Sequence, residues 1–170
     1  MDVTRTAPLL LAAFCGACAS TGAVPRPFPM PGSPPSSSSS PDRPAAPTHV
    51  DGYALVGTAL SFRGVPYRNG GSDPQGFDCS GFTQYVFAQY GVALPREVRE
   101  QFEKGRALTP DEVAPGDLIF FSTVAPGPTH VGIAIGGDAF VHAPSSTGVV
   151  RVERLGSSYW APRYVGARRP

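Results

Sequence analysis

Apolar side chains recur along this chain with two different periods, and the change from one to the other falls near Pro115. Tyr53-Ala54-Leu55-Val56-Gly57-Thr58-Ala59-Leu60 carries its apolar residues at helical spacing and predicts a first helix. Pro66 and the pair Gly70-Gly71 then prevent Gly64–Gly71 from being helical. A second helix is predicted over about Cys79–Tyr90, where Phe82, Val86 and Gln89/Tyr90 recur on the face below Cys79. Asp78, directly before it, is placed to cap that helix by accepting a hydrogen bond from a first-turn N–H. Leu94-Pro95-Arg96 opens a short charged helix, Glu97 to Lys104, which Gly105 ends.

Beyond Pro115 the pattern becomes that of strands: Asp117–Phe121, His130–Ile135, Ala139–His142, Val149–Val152 and Tyr164–Ala167. Gly136-Gly137-Asp138 is the tight turn between the second and third. Helices followed by antiparallel strands make this an α+β domain, and no internal repeat interrupts it.

The N-terminal third has a different character. Residues 1–18 read as an export signal, with Arg5 before the run Leu9-Leu10-Leu11-Ala12-Ala13-Phe14. That run is far shorter than the ~20 residues a membrane span takes. Cys15-Gly16-Ala17-Cys18 resembles a bacterial lipobox, although Cys15 stands where a leucine is usual. Cys18 is then the expected acylated residue, and Ala19 fits the pattern that resembles outer-membrane sorting, which would leave the protein facing the periplasm. The alternatives are a plain secretory signal, giving a soluble periplasmic or extracellular protein, and an unprocessed N-terminus. Residues 19–49 hold nine prolines and the serine run Ser36–Ser40, with too little apolar surface for a core, and are expected to be a disordered spacer. His49 ends it. Residues 50–170 are left as the folded domain.

From Val50 onward there are 11 basic and 11 acidic side chains. A near-neutral domain lacks the basic surface that phosphate neutralisation needs, so nucleic acid is not expected as a partner. The three cysteines are Cys15, Cys18 and Cys79. With two of them in the export segment, Cys79 has no evident disulfide partner and is either a buried small hydrophobe or a reactive thiol. Its place at a helix start favours thiolate, because the unpaired N–H groups there stabilise negative charge. Pairing Ile135 with Ala139 across a three-residue turn sets position 132 opposite 142. His130 and His142 then share one sheet face as diagonal neighbours. A thiol, an imidazole and a second imidazole behind it supply a nucleophile, a base and an orienter. The same three residues could instead be zinc ligands, although no CxxC or HxxxH spacing supports them, or two core histidines beside an inert cysteine.

Six motifs in order narrow these choices. They are Pro66-Tyr67-Arg68-Asn69-Gly70-Gly71, Phe77-Asp78-Cys79-Ser80-Gly81-Phe82, Leu94-Pro95-Arg96, Pro115-Gly116-Asp117-Leu118-Ile119-Phe120-Phe121, His130-Val131-Gly132-Ile133 and Phe140-Val141-His142-Ala143. Together they resemble the NlpC/P60 family over about Tyr53–Arg169. The resemblance implies a papain-like α+β fold, with the nucleophile helix packed on an antiparallel sheet. It also implies a thiol-dependent peptidase that cuts peptidoglycan stem peptides through a thioester, usually at the γ-D-glutamyl–diamino-acid bond, without cofactor or metal. By position, Cys79 is implied as nucleophile, His130 as base and His142 as third polar residue. Tyr67 matches a tyrosine near the oxyanion site, and Asp78 and Ser80 match positions lining the substrate groove. Asn69 departs from the pattern, since an aromatic is usual there. The expected partners are stem peptides and, through Cys18, a membrane; a monomer is expected. The alternatives are an N-acetylmuramoyl-L-alanine amidase with the same machinery and a catalytically silent wall-binding domain.

Overall fold

Helix α1, Gly52–Ser61, starts where Asp51 can cap it: the Asp51 carboxylate accepts from the Tyr53 N–H at 2.9 Å and the Ala54 N–H at 3.3 Å. In this computed structural model, which describes residues 50–170, α1 buries Leu55, Val56 and Ala59, the residues at helical spacing. The expected export signal, Cys18 and the Pro/Ser spacer lie outside the described residues.

The loop after α1 leads into a small hairpin that the sequence pattern does not announce, β1 (Ser72–Asp73) with β2 (Gly76–Phe77). Two residues per strand are too few to carry an alternation. Helix α2, Cys79–Ala88, follows at once and ends two residues earlier than expected. Helix α3, Val98–Glu103, lies within the expected charged segment. Strand β3, Arg106–Leu108, was not expected. The remaining strands are β4 (Leu118–Phe121), β5 (His130–Gly136), β6 (Ala139–His142), β7 (Arg151–Arg154) and β8 (Tyr164–Arg169).

Six strands form one antiparallel sheet in the order β3-β8-β4-β5-β6-β7, so β8 is inserted between β3 and β4. Arg169 fastens it there by pairing with the buried Asp117 carboxylate at 2.8 and 2.7 Å and donating to the Glu112 carbonyl at 3.0 Å. The α+β expectation holds.

The sheet has a core on each face. Leu118, Phe120, Val131, Ile133 and Val141 point into a layer shared with Leu55 and Ala59 of α1 and Phe82 and Val86 of α2. Ile119, Phe121, Ala134 and Phe140 point the other way, under Trp160. Strand alternation explains the split, and it also explains why β4 is buried throughout.

Two expectations about register need correction. The turn after β5 is tighter than expected: Gly136 pairs with Ala139, leaving Gly137-Asp138 as the loop, and Gly136 and Gly137 both take positive φ, 103° and 58°. A register shift between Ala134 and Gly136 absorbs the difference, so Ile133 faces Val141 as expected. Strand β7 starts later than the predicted Val149. Val149 instead bridges Pro66, and the Val150 N–H donates to the Val65 carbonyl at 2.8 Å. The Tyr67 N–H donates to the Gly148 carbonyl at 2.7 Å, so the loop bearing Tyr67 is stitched to the chain entering β7.

Candidate active site

The first turn of α2 is built by its neighbours as much as by its own residues. The Asp78 carboxylate accepts from the Gly81 N–H at 2.8 Å and the Gly70 N–H at 3.1 Å, and it forms an ion pair with Arg96. The expected capping role is therefore present. Arg96 also donates to the Ser80 hydroxyl at 2.7 Å. Asp78 and Ser80 are 9% and 5% exposed, so both side chains end on Arg96, which is the more open group. Gly81 is required for this packing, because a Cβ there would lie 2.0 Å from the Gly71 carbonyl oxygen. On the far side, the buried amide of Gln101 donates to the Ser80 carbonyl at 3.0 Å and the Pro95 carbonyl at 2.8 Å, tying α3 to the same turn.

Cys79 packs against the helical-layer core and is a free thiol. The backbone N–H groups of Val131, Ser80 and Cys79 itself favour its anion. Burial and the nearby Asp78 carboxylate outweigh them and push the thiol up to about 11. The expected thiolate preference of the helix start is thus overridden in the resting site. Tyr67 is partly buried close by, and its hydroxyl is raised by burial and then by the proximity of Cys79 and Asp78.

His130 and His142 lie on the opposite face of the sheet from the helices. They are hydrogen-bonded, His130 Nε2 to His142 Nδ1 at 2.7 Å. Gly132 makes room for this pairing: a Cβ there would come within 2.7 Å of the Phe140 ring, 3.0 Å of the Val141 carbonyl and 3.1 Å of the His142 Cβ. Trp160 stacks on His130 at 5.4 Å between ring centroids and stands edge-on to His142 at 5.0 Å. Burial lowers His130 to about 4, and His142 is lowered further by burial, by His130 and by Arg151. Both rings are neutral at pH 7, and the thiol is protonated.

Behind this pair, the Trp160 indole N–H donates to Glu153 Oε2 at 2.5 Å, and Glu153 Oε1 pairs with Arg151 at 3.0 Å. Among the described residues, no cluster of three or more His, Cys, Asp or Glu side chains has metal-binding spacing. A cavity of about 430 Å³ opens between Glu97–Glu100 and Pro128-Thr129, one residue from His130.

Residues 64–169 match the NlpC/P60 family. The chain belongs to the NlpC/P60 family. Its α+β fold is shared with solved members. A Bacillus cereus NlpC/P60 family protein superposes with a TM-score of 0.67 at 34% identity, over 73% of this chain and 41% of that one. The NlpC/p60 domain of the peptidoglycan hydrolase SagA gives 0.63 at 35% identity, over 71% of this chain and all of that one. Among curated relatives, the γ-DL-glutamyl hydrolase of Bacillus subtilis is 40% identical over 119 residues, 68% of this chain and 29% of its own length. The murein DD-endopeptidase MepS/murein LD-carboxypeptidase of Escherichia coli K12 is 45% identical over 109 residues, 64% of this chain and 57% of its own. This chain therefore spans less than two thirds of either relative.

Arg96, Gln101, Glu153 and Trp160 went unassigned in the sequence. Leu94-Pro95-Arg96 was visible as a motif, and that was the signal available for Arg96. Gln101 and Glu153 sit in charged stretches where nothing distinguishes a buried partner from a solvated one.

Proposed function

We propose that this protein is an exported cysteine peptidase that hydrolyses peptidoglycan stem peptides. The observation that carries this is the hydrogen-bonded His130–His142 pair, with His130 at the start of β5 and the N–H of the next residue favouring the anion of Cys79, in a chain of this family. The names of its relatives supply the substrate class.

Cys79 is the nucleophile. With Nε2 of His130 engaged by His142, Nδ1 is the ring nitrogen left to accept the thiol proton. A neutral thiol beside a neutral imidazole means that the proton moves as the sulfur attacks the amide carbon, rather than in a preformed ion pair. The tetrahedral oxyanion is met by N–H groups at the start of α2, with Tyr67 alongside. His130 then protonates the leaving amine as the C–N bond breaks, and water hydrolyses the thioester by the reverse route. Asp78 and Ser80 shape the groove through Arg96, which both hold in place.

The γ-D-glutamyl–diamino-acid amide is the proposed bond. Every group used comes from one chain, which supports a monomeric enzyme. Residues 1–18 direct export, Cys18 carries a lipid, and residues 19–49 tether domain 50–170 away from an outer membrane facing the periplasm.

Mass spectrometry of muropeptides digested by the protein tests the reaction. Products cut after D-glutamate that disappear with Cys79→Ala are expected. Cleavage between sugar and peptide would make it an amidase, and full activity in Cys79→Ala would end the thiol mechanism. For the anchor, Cys18→Ser is expected to release the protein from the membrane fraction; unchanged partition would refute acylation at Cys18.

A further inference from the structure

His142 has a ring nitrogen that the chemistry above does not use. Its Nε2 is fully buried and has no hydrogen-bond partner among the described residues. Arg151 is the direct neighbour of His142 across the strands, and Glu153 Oε1 faces the nitrogen at 3.9 Å, beyond hydrogen-bond range. Since His142 is neutral, this is a carboxylate facing one ring nitrogen rather than an ion pair between two charges.

The sheet explains the placement. On β6 and β7, His142 pairs with Arg151 and Phe140 with Glu153, so Glu153 is a diagonal neighbour of His142 on the same face. The β5–β6 register relates His130 to His142 in the same way. His130, His142 and Glu153 thus form a straight diagonal across three strands, each step crossing one strand and two residues. Glu153 is held at the end of that line by Trp160 on Oε2 and Arg151 on Oε1. Each carboxylate oxygen has two lone pairs, so Oε1 keeps one for His142.

The proton count makes this consequential. A single proton lies between His130 Nε2 and His142 Nδ1. If it belongs to His142, Nε2 of His142 is bare and faces a carboxylate, and His130 carries its own proton on Nδ1, where it cannot accept another. If it belongs to His130, His142 carries its proton on Nε2, directed at Glu153, and Nδ1 of His130 is free. The negative charge of Glu153 favours the second arrangement.

We propose that Glu153 is a positioning residue, whose carboxylate charge 3.9 Å from His142 Nε2 keeps the His142 proton on that nitrogen and so leaves Nδ1 of His130 free to take the proton of Cys79. This rests on the cysteine-peptidase mechanism above for its catalytic consequence, but the tautomer it predicts exists in the resting protein and is measured without substrate.

Nitrogen-15 NMR of the histidine-labelled full chain is expected to show His142 protonated at Nε2 and bare at Nδ1, and His130 protonated at Nε2. In Glu153→Leu, the His142 signals should move towards the Nδ1–H form. With them, kcat should fall roughly ten- to hundredfold at unchanged KM, the range for groups that orient a functional imidazole from behind. Glu153→Asp, which keeps the charge, should retain the tautomer and most of the rate, whereas the neutral Glu153→Gln should behave like Glu153→Leu. His142 protonated at Nδ1 in the unsubstituted protein would overturn the proposal by itself, whether or not Glu153→Leu folds. So would unchanged tautomers in a folded Glu153→Leu. Absence of muropeptide cleavage in the unsubstituted protein would instead count against the peptidase assignment and leave the tautomer prediction standing on its own measurement.

Discussion

The two sides of the sheet hold the reacting groups in different ways. On the helical side, Cys79 is positioned by backbone and by a charged brace: the Asp78 cap, the Arg96 ion pair and the Gln101 amide all close on one helical turn. On the other side, His130 and His142 are positioned by aromatic packing against Trp160, Phe121 and Phe140, with a single hydrogen bond between them. The charged brace has a cost, since Asp78 raises the thiol whose helix it caps. The aromatic box also has one, since burial lowers both imidazoles. A thiol raised to about 11 opposite a base lowered to about 4 does not exchange its proton spontaneously at pH 7.

The sharpest way to break this comparison is on the aromatic side. His130→Ala removes the base and is expected to lower kcat about 10³-fold, within the usual range for a positioned acid–base group, in a muropeptide-cleavage assay. His142→Ala should cost less, about 10²-fold, because it only orients; the opposite ranking would mean that their roles are exchanged.

Next in size is Gly132→Ala. The added methyl has backbone and ring atoms in its way, and overpacking of this kind costs about 1–3 kcal/mol. Calorimetry should show a lower Tm, and the His130–His142 bond should be lost from the imidazole NMR signals. Gly57→Ala, in the open on α1 where nothing lies within 4 Å, should leave the imidazole signals unchanged and should not lower Tm.

A further test is the dependence of stability on pH, and the two sides differ in sign. The unfolded histidines bind protons near 6.5, whereas folded His130 does so only near 4. Between these values the unfolded state holds more protons, so stability is expected to fall as pH drops from about 6.5 to 4. Cys79 acts at the other end. Its unfolded thiol ionises near 9.0 and its folded thiol near 11, so stability is lost as pH rises through that window. Thermal unfolding across pH should show both flanks, with the alkaline one reduced in Cys79→Ala.

Much of this was legible in the chain because the informative residues also obey local rules. Asp78 before an apolar helical run reads as a cap, and it caps. The histidine pair followed from strand period and one turn, and it survived a wrong loop length because a bulge restored the register. What was hidden has a different origin. The hairpin at 72–77 and strand β3 are too short for periodicity, and they exist through long-range pairing with the loop before them and with β8. That the histidines lie on the sheet face opposite the helices depends on which parity of β5 points where, which no single strand reveals. Trp160, in a turn-rich segment, gave no sign that it would cover both imidazoles.

Strand β8 carries none of the proposed catalytic groups, yet its position between β3 and β4 governs when the site can be assembled. Cys79, His130, His142 and Glu153 all precede it, so a ribosome has already made every one of them while β3 and β4 still have no common neighbour. Pairings this distant in the chain close late. A nascent chain of this kind therefore carries its full chemical equipment for some time before it has the sheet that gives that equipment a geometry. Arg169, which fastens β8 to Asp117, lies 52 residues beyond it in the chain. For the exported hydrolase proposed above, that order of events leaves the site incomplete until β8 is in place.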